Sequence, residues 1–190
     1  MTSERAYVPT MPPAALVTAD ELLQMSFPDK RVELVRGVLV VREPPGYHHG
    51  AVTARLAQIL INYADAHEQG QVLAGDAGFK LEANPDTVRG PDLAFVRRDR
   101  APNPAPRGFA DFPPDLAVEI LSPRDRPGEV LAKVADWLNA GTPLVWVIDP
   151  ERRRARVYRQ DGSEAIVAED TPLDGEQVLP GFSCPLGDIL

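Results

Sequence analysis

Three residues of this sequence carry functional groups that complement one another: Asp92, Glu119 and Lys133. Asp92 follows the loop-ending run Arg89-Gly90-Pro91 and stands at the mouth of the apolar segment Leu93-Ala94-Phe95-Val96. Glu119 interrupts the apolar run from Leu116 to Leu121. In an alternating pleat Ala117, Glu119 and Leu121 share one face, so the carboxylate falls where it must be paired, protonated, open to a cleft or bound to a cation. Lys133 borders the apolar stripe Val130, Val134, Trp137 and Leu138 of a predicted helix. Each has an ordinary reading alone: a turn aspartate, a sheet-edge ion pair, and a surface pair of Lys133 with Glu129 or Asp136. Together they suit one chemistry. Two carboxylates from neighbouring strands offer hard oxygen ligands to Mg²⁺ or Mn²⁺. A lysine beside them can help activate a metal-bound water and offer charge to a phosphate transition state.

The elements that must position these groups are legible in the periodicities. Thr18-Ala-Asp-Glu21 is a capping box ahead of Leu22, Leu23 and Met25, so a short helix starts near Thr18. Glu33 to Val41 reads as a strand pair around Arg36-Gly37. From His49, the residues Val52, Leu56, Ile59, Leu60 and Tyr63 recur at helical spacing and predict a long amphipathic helix ending before Gly70. Strands follow at Gln71 to Ala74, Gly78 to Glu82 and Asp92 to Val96. Asp115 to Leu121, a helix from Gly128 to Ala140 and Leu144 to Asp149 form a βαβ crossover with parallel strands. Arg154 to Arg159 and Glu164 to Ala168, joined at Asp161-Gly162, extend the sheet as a hairpin. The expected fold class is α/β: a Pro-rich arm over residues 1–17, then one domain over 18–190 with a central mixed sheet flanked by helices.

Bulk properties narrow the setting. The length of 190 residues, with 44% hydrophobic and 25% charged residues, is that of one ordinary globular domain. A single cysteine, Cys184, excludes an internal disulfide and a cysteine-cluster zinc site. With no export signal and no run of membrane-spanning length, the expected location is cytoplasmic. A net charge of −8 argues against bulk attraction to nucleic acid but leaves room for a local basic groove. Basic residues gather at Arg97, Arg98, Arg100 and Arg107, and again at Arg152, Arg153, Arg154, Arg156 and Arg159. Their ordinary reading is as solvated strand ends and turns.

PDLAFV (Pro91 to Val96), DLAVEILSP (Asp115 to Pro123), Lys133, Gly141 and LVWVIDP (Leu144 to Pro150), in that order, resemble the PD-(D/E)XK nuclease superfamily, and more narrowly its Uma2 branch of restriction endonuclease-like proteins. ELVRG at Glu33 to Gly37 and HGAV at His49 to Val52 extend the similarity, which runs from about Thr18 to Arg159. The resemblance implies a restriction-endonuclease-like domain and a metal-dependent endonuclease, with Asp92 and Glu119 holding Mg²⁺ or Mn²⁺. It also implies nucleic acid, most naturally DNA, as substrate. Glu33 and His49 match family positions and become further site candidates. Leu121 stands where the superfamily motif has its lysine, and Lys133 on the following helix is the natural substitute. Trp137 stands where the family more often has tyrosine, a change expected to affect packing more than chemistry.

A reading from another class is a nuclease fold with little or no catalytic activity that serves as a binding or assembly module, motivated by Leu121 and the net charge. A third is a phosphohydrolase acting on nucleotides or other small substrates, which an acidic surface suits better than long DNA. A homodimer is the expected assembly for a protein that cuts both strands of a duplex.

Overall fold

The computed structural model describes residues 15–190. Most of the Pro-rich arm expected over residues 1–17 therefore lies outside the described residues. In chain order the elements are α1 (Ala19–Gln24), β1 (Arg31–Val35), β2 (Val38–Arg42), α2 (Tyr47–Ala66), β3 (Gly70–Ala74), β4 (Phe79–Glu82), β5 (Thr87–Arg89), β6 (Leu93–Arg97) and β7 (Leu116–Ile120). Then come α3 (Pro127–Ala140), β8 (Leu144–Asp149), β9 (Arg154–Arg159), β10 (Glu164–Ala168), β11 (Pro172–Asp174), β12 (Ser183–Pro185) and a 3-10 turn, Leu186–Asp188.

The central sheet has six strands in the order β10-β9-β8-β7-β6-β3. β7 and β8 pair in parallel across α3, and the other neighbours are antiparallel. The sheet is therefore mixed, with the βαβ unit where the apolar runs placed it. Both central strands are buried throughout, which is why they read as continuous apolar runs rather than alternating ones.

Alternation along these strands builds two cores. On one face Leu93, Phe95, Leu116, Val118 and Trp146 pack against Val52, Leu56 and Leu60 of α2. On the other, Ala94, Ala117, Val145 and Val147 pack against Val134 and Trp137 of α3. Glu119 belongs to the second face, two residues along the strand from Ala117.

Beside the expected central mixed sheet stands a second one that the sequence reading did not separate from it. β1, β2, β4 and β5 form a separate antiparallel sheet in the order β2-β1-β5-β4. Its β1-β2 hairpin turns through Arg36 and Gly37 at φ 48° and 77°. That two-residue turn with positive φ matches the right-handed twist of the strands, and Gly37 meets the requirement without strain. The strand β5 has only three residues, too few to show a period, and the sequence reading missed it. The small pair β11-β12 after the β9-β10 hairpin was missed for the same reason. The capping box is present: the Glu21 amide donates to Thr18 Oγ1 at 3.2 Å and the Thr18 amide to Glu21 Oε2 at 2.8 Å. Among the described residues no helix is long and apolar enough to cross a membrane.

Candidate active site

The site lies where the second sheet meets the α3 face of the central sheet. β6 and β7 are paired with Leu93 opposite Val118, a register that continues to bring Asp92 opposite Glu119. Both carboxylates are buried, at 5% and 8% exposure. They line one cleft of about 470 Å³ whose walls also include Arg31, Glu33, His49 and Lys133. Such a volume is of the size that binds small ligands or part of a larger one. The structure thus brings together all five residues singled out in the sequence, Asp92, Glu119, Lys133, Glu33 and His49.

Lys133 does not make the surface pair that its helical neighbours suggested. Its Nζ donates to Glu119 Oε2 and to the Gly90 carbonyl, both at 2.8 Å, and lies 2.9 Å from Glu33 Oε1. An ammonium has three protons, and here each has an oxygen to meet. Asp136 instead binds Arg89, and Glu129 binds Arg42. The close approach of Gly90 requires its missing side chain, because a Cβ there would sit 2.8 Å from the Asp76 carbonyl.

Glu33 is buried at the middle of β1 rather than facing solvent. Its Oε1 accepts from the Gly90 amide at 3.0 Å, and its Oε2 accepts from Arg89 NH1 at 2.8 Å. Arg89, itself buried, also donates through Nε and NH2 to Asp136 Oδ2 at 2.9 and 2.6 Å. One arginine on β5 thus ties β1 to α3 one turn from Lys133. Trp137, on the same turn, donates Nε1–H to Glu119 Oε1 at 2.9 Å. The tryptophan therefore fills the core and also holds the site carboxylate, a contact that the packing expectation did not include.

Asp92 is held from three sides. Its Oδ2 accepts from the Ile120 amide at 2.7 Å, while its Oδ1 accepts from Arg31 NH2 at 2.8 Å and lies 3.1 Å from His49 Nε2. His49, in the first turn of α2, is buried rather than a surface residue. Arg31 NH2 also reaches Asp76.

These contacts divide the carboxylates. Burial works against the charge of Asp92, but the hydrogen bond and charge of His49, with Arg31 and the Ile120 amide, hold its pKa below the usual carboxylate range. Burial likewise raises Glu33, and Lys133 and Arg89 more than offset it, so Glu33 too stays low. Glu119 goes the other way. Burial pushes it up, Lys133 only partly opposes this, and the neighbouring charges of Asp92 and Glu33 add to the rise, which reaches about 7. Burial also disfavours charge on Lys133, yet Glu119, Glu33 and Asp92 hold it above its ordinary value as a firm cation. Two nearby carboxylates with separated acidities are the usual sign of a site with distinct roles for each.

The two arginine-rich stretches take no part in the cleft lining. Arg97 pairs with Asp99, Arg100 with Asp115, Arg153 with Glu169 and Arg159 with Glu176. The guanidiniums that do reach the cleft, Arg31, Arg42 and Arg124, come from β1, β2 and the loop after β7. The sequence reading passed over Arg31 and Arg89. The available signal for both was an arginine inside or ending a strand next to a site motif, Arg31 two residues before Glu33 and Arg89 three before Asp92.

Among the described residues no group of three or more His, Cys, Asp and Glu side chains is arranged to hold a metal ion. The donor chemistry still fits a hard cation. Each oxygen of Glu119 and Oδ2 of Asp92 accept a single N–H bond, so each retains a lone pair without a donor among the described residues. Mg²⁺ is commonly held by one or two carboxylates with water completing the octahedron.

A family model described as "Putative restriction endonuclease", Uma2, matches residues 19–187. A crystal structure of a protein described as a "putative nuclease", from Anabaena variabilis, is similar with a TM-score of 0.81 and 20% sequence identity, covering 91% of this chain and 97% of that one. Among curated proteins none matches.

Proposed function

Since the chain belongs to the Uma2 family, whose description is "Putative restriction endonuclease", we propose that it is a metal-dependent endonuclease that hydrolyses phosphodiester bonds of nucleic acid, DNA being the favoured substrate. The observation that carries this reading is the convergence of Asp92, Glu119 and Lys133 in one cleft, with Glu119 and Lys133 in direct contact. Asp92 and Glu119 are the residues to hold Mg²⁺ or Mn²⁺. When bound there, such an ion supplies Lewis-acid polarisation of the phosphate and lowers the pKa of an attacking water.

The chain's own residues do the rest. Ile120 N–H and His49 fix Asp92 in one orientation, and Trp137 fixes Glu119. Lys133 is a cation with its protons committed to oxygen acceptors, so its part is electrostatic: it offsets negative charge that develops on the phosphate. Glu33 and Arg89 keep that ammonium aimed at Glu119. The absence of lysine at position 121 is thereby met by an amine from α3 that reaches the same carboxylate. Residues 18–190 are the working unit in this proposal, and a homodimer working in the cytoplasm suits cleavage of both duplex strands.

The test is nicking of a supercoiled plasmid in Mg²⁺ or Mn²⁺ by wild type and by Asp92→Asn, Glu119→Gln and Lys133→Met. Nicking by wild type and its loss in all three variants is expected. Equal residual activity in wild type and variants would point instead to the binding or assembly module.

A further inference from the structure

Arg31 has donors to spare at the edge of the site. Only its NH2 is engaged, and it is engaged twice, with Asp92 Oδ1 at 2.8 Å and with Asp76. Among the described residues neither its Nε nor its NH1 makes a hydrogen bond, and its side chain is 23% exposed along the cleft wall. Two carboxylates therefore restrain the guanidinium while three N–H bonds remain, one on Nε and two on NH1. The forks of a guanidinium are its Nε/NH2 and NH1/NH2 edges, so with NH2 taken by carboxylates the free NH1 is left as a restrained, charge-assisted donor for a single phosphate oxygen.

We propose that Arg31 is the phosphate clamp of the site: its NH1 donates to a non-bridging oxygen of the bound phosphodiester. This rests on the hydrolytic reading above and adds a residue to it. The clamp works without a large basic patch. Carboxylates outnumber cations along the cleft, so general attraction is weak and anion binding has to come from placed donors together with a divalent cation. Arg31 can fill this role because its pairing with Asp92 and Asp76 restrains it before any substrate arrives, which lowers the ordering cost of binding.

The experiment uses the full chain and a labelled 20-nucleotide single strand. Binding is followed by fluorescence anisotropy in Ca²⁺ between 50 and 200 mM KCl, cleavage of the same strand is measured in Mg²⁺, and Mn²⁺ affinity is measured by calorimetry. Arg31→Ala is expected to lower the slope of log K against log salt by about 1. It should also cut the cleavage rate by on the order of 100-fold, the usual loss for one transition-state donor, while Mn²⁺ binds no more weakly. Arg31→Lys keeps the charge and so keeps the slope, but without a donor held at the NH1 position it does not recover the rate.

An unchanged slope in Arg31→Ala overturns the clamp. So does a loss of Mn²⁺ affinity that matches the loss of rate, because Arg31 would then act only by holding Asp92. Wild type that cleaves while the slope stays unchanged in the variant rejects the clamp and leaves the hydrolytic reading standing. Wild type that binds through Arg31 but never cleaves rejects the hydrolytic reading and leaves the clamp.

Discussion

Replacing Arg89 by methionine removes a buried cation that joins β1, β5 and α3 behind the site. In the native chain its guanidinium satisfies Glu33 Oε2 at 2.8 Å and Asp136 Oδ2 at 2.6 and 2.9 Å, and its side chain is only 6% exposed. Methionine fills much of the volume but leaves Asp136 without its closest partner and Glu33 with one of its two cations. Asp136 then keeps only Arg36, 3.7 Å away on the exposed hairpin turn, and Glu33 keeps Lys133 and the Gly90 amide. Removing one partner from a buried pair costs about 3–5 kcal/mol. For a domain of this size that lowers Tm by roughly 6–20 °C.

The sign of the pH dependence follows from Glu33. Burial alone would raise its pKa, and Lys133 and Arg89 bring it below the ordinary glutamate value. A carboxylate depressed in this way adds stability above the unfolded value, and that stability is lost as pH falls through the folded value. Without Arg89 the burial cost is less opposed, Glu33 moves up, and protonation relieves part of the damage at mildly acid pH. The deficit should therefore be larger at pH 8 than at pH 5.5, by on the order of 1 kcal/mol. Thermal unfolding followed by circular dichroism at both pH values measures it. A drop of less than about 2 °C, or one of equal size at both pH values, refutes the description of Arg89 as the buried tie.

Two further outcomes follow from Glu119. Because it titrates near 7 and a cation binds the ionised form, Mn²⁺ affinity should be flat above about pH 8 and fall by up to about tenfold per pH unit below 7, with proton release on binding; calorimetry in buffers of different ionisation heat reads both. Trp137→Phe removes the Nε1–H that Glu119 Oε1 accepts, at a stability cost of about 1–3 kcal/mol. It should also move the acid limb of the nicking profile to higher pH, whereas an unmoved limb would mean that the indole serves packing alone.

The central strands and both large helices were legible because long periodic runs leave few alternatives, and the βαβ unit followed from their order. Asp92 and Glu119 were legible because a carboxylate inside or at the mouth of an apolar strand calls for a reason. Lys133 was ambiguous from sequence: Glu129 and Asp136 at helical spacing offered a local pairing that the fold does not use. The partners it does use, Glu33 and Glu119, come from β1 in the second sheet and from β7 in the central sheet. The existence of that second sheet depended on β5, a three-residue strand that carries no period of its own. With β5 unseen, Arg89 had no visible route to Glu33, 56 positions away in sequence. Trp137 was read by its size, and its N–H became informative only once Glu119 lay within reach.

Anomalous diffraction from a crystal of the protein soaked in Mn²⁺ tests the central claim most directly. One peak bonded to carboxylate oxygens of both Asp92 and Glu119, with Lys133 Nζ beside it, is the predicted result. No peak at tens of millimolar Mn²⁺, or a peak that leaves either carboxylate untouched, would contradict it.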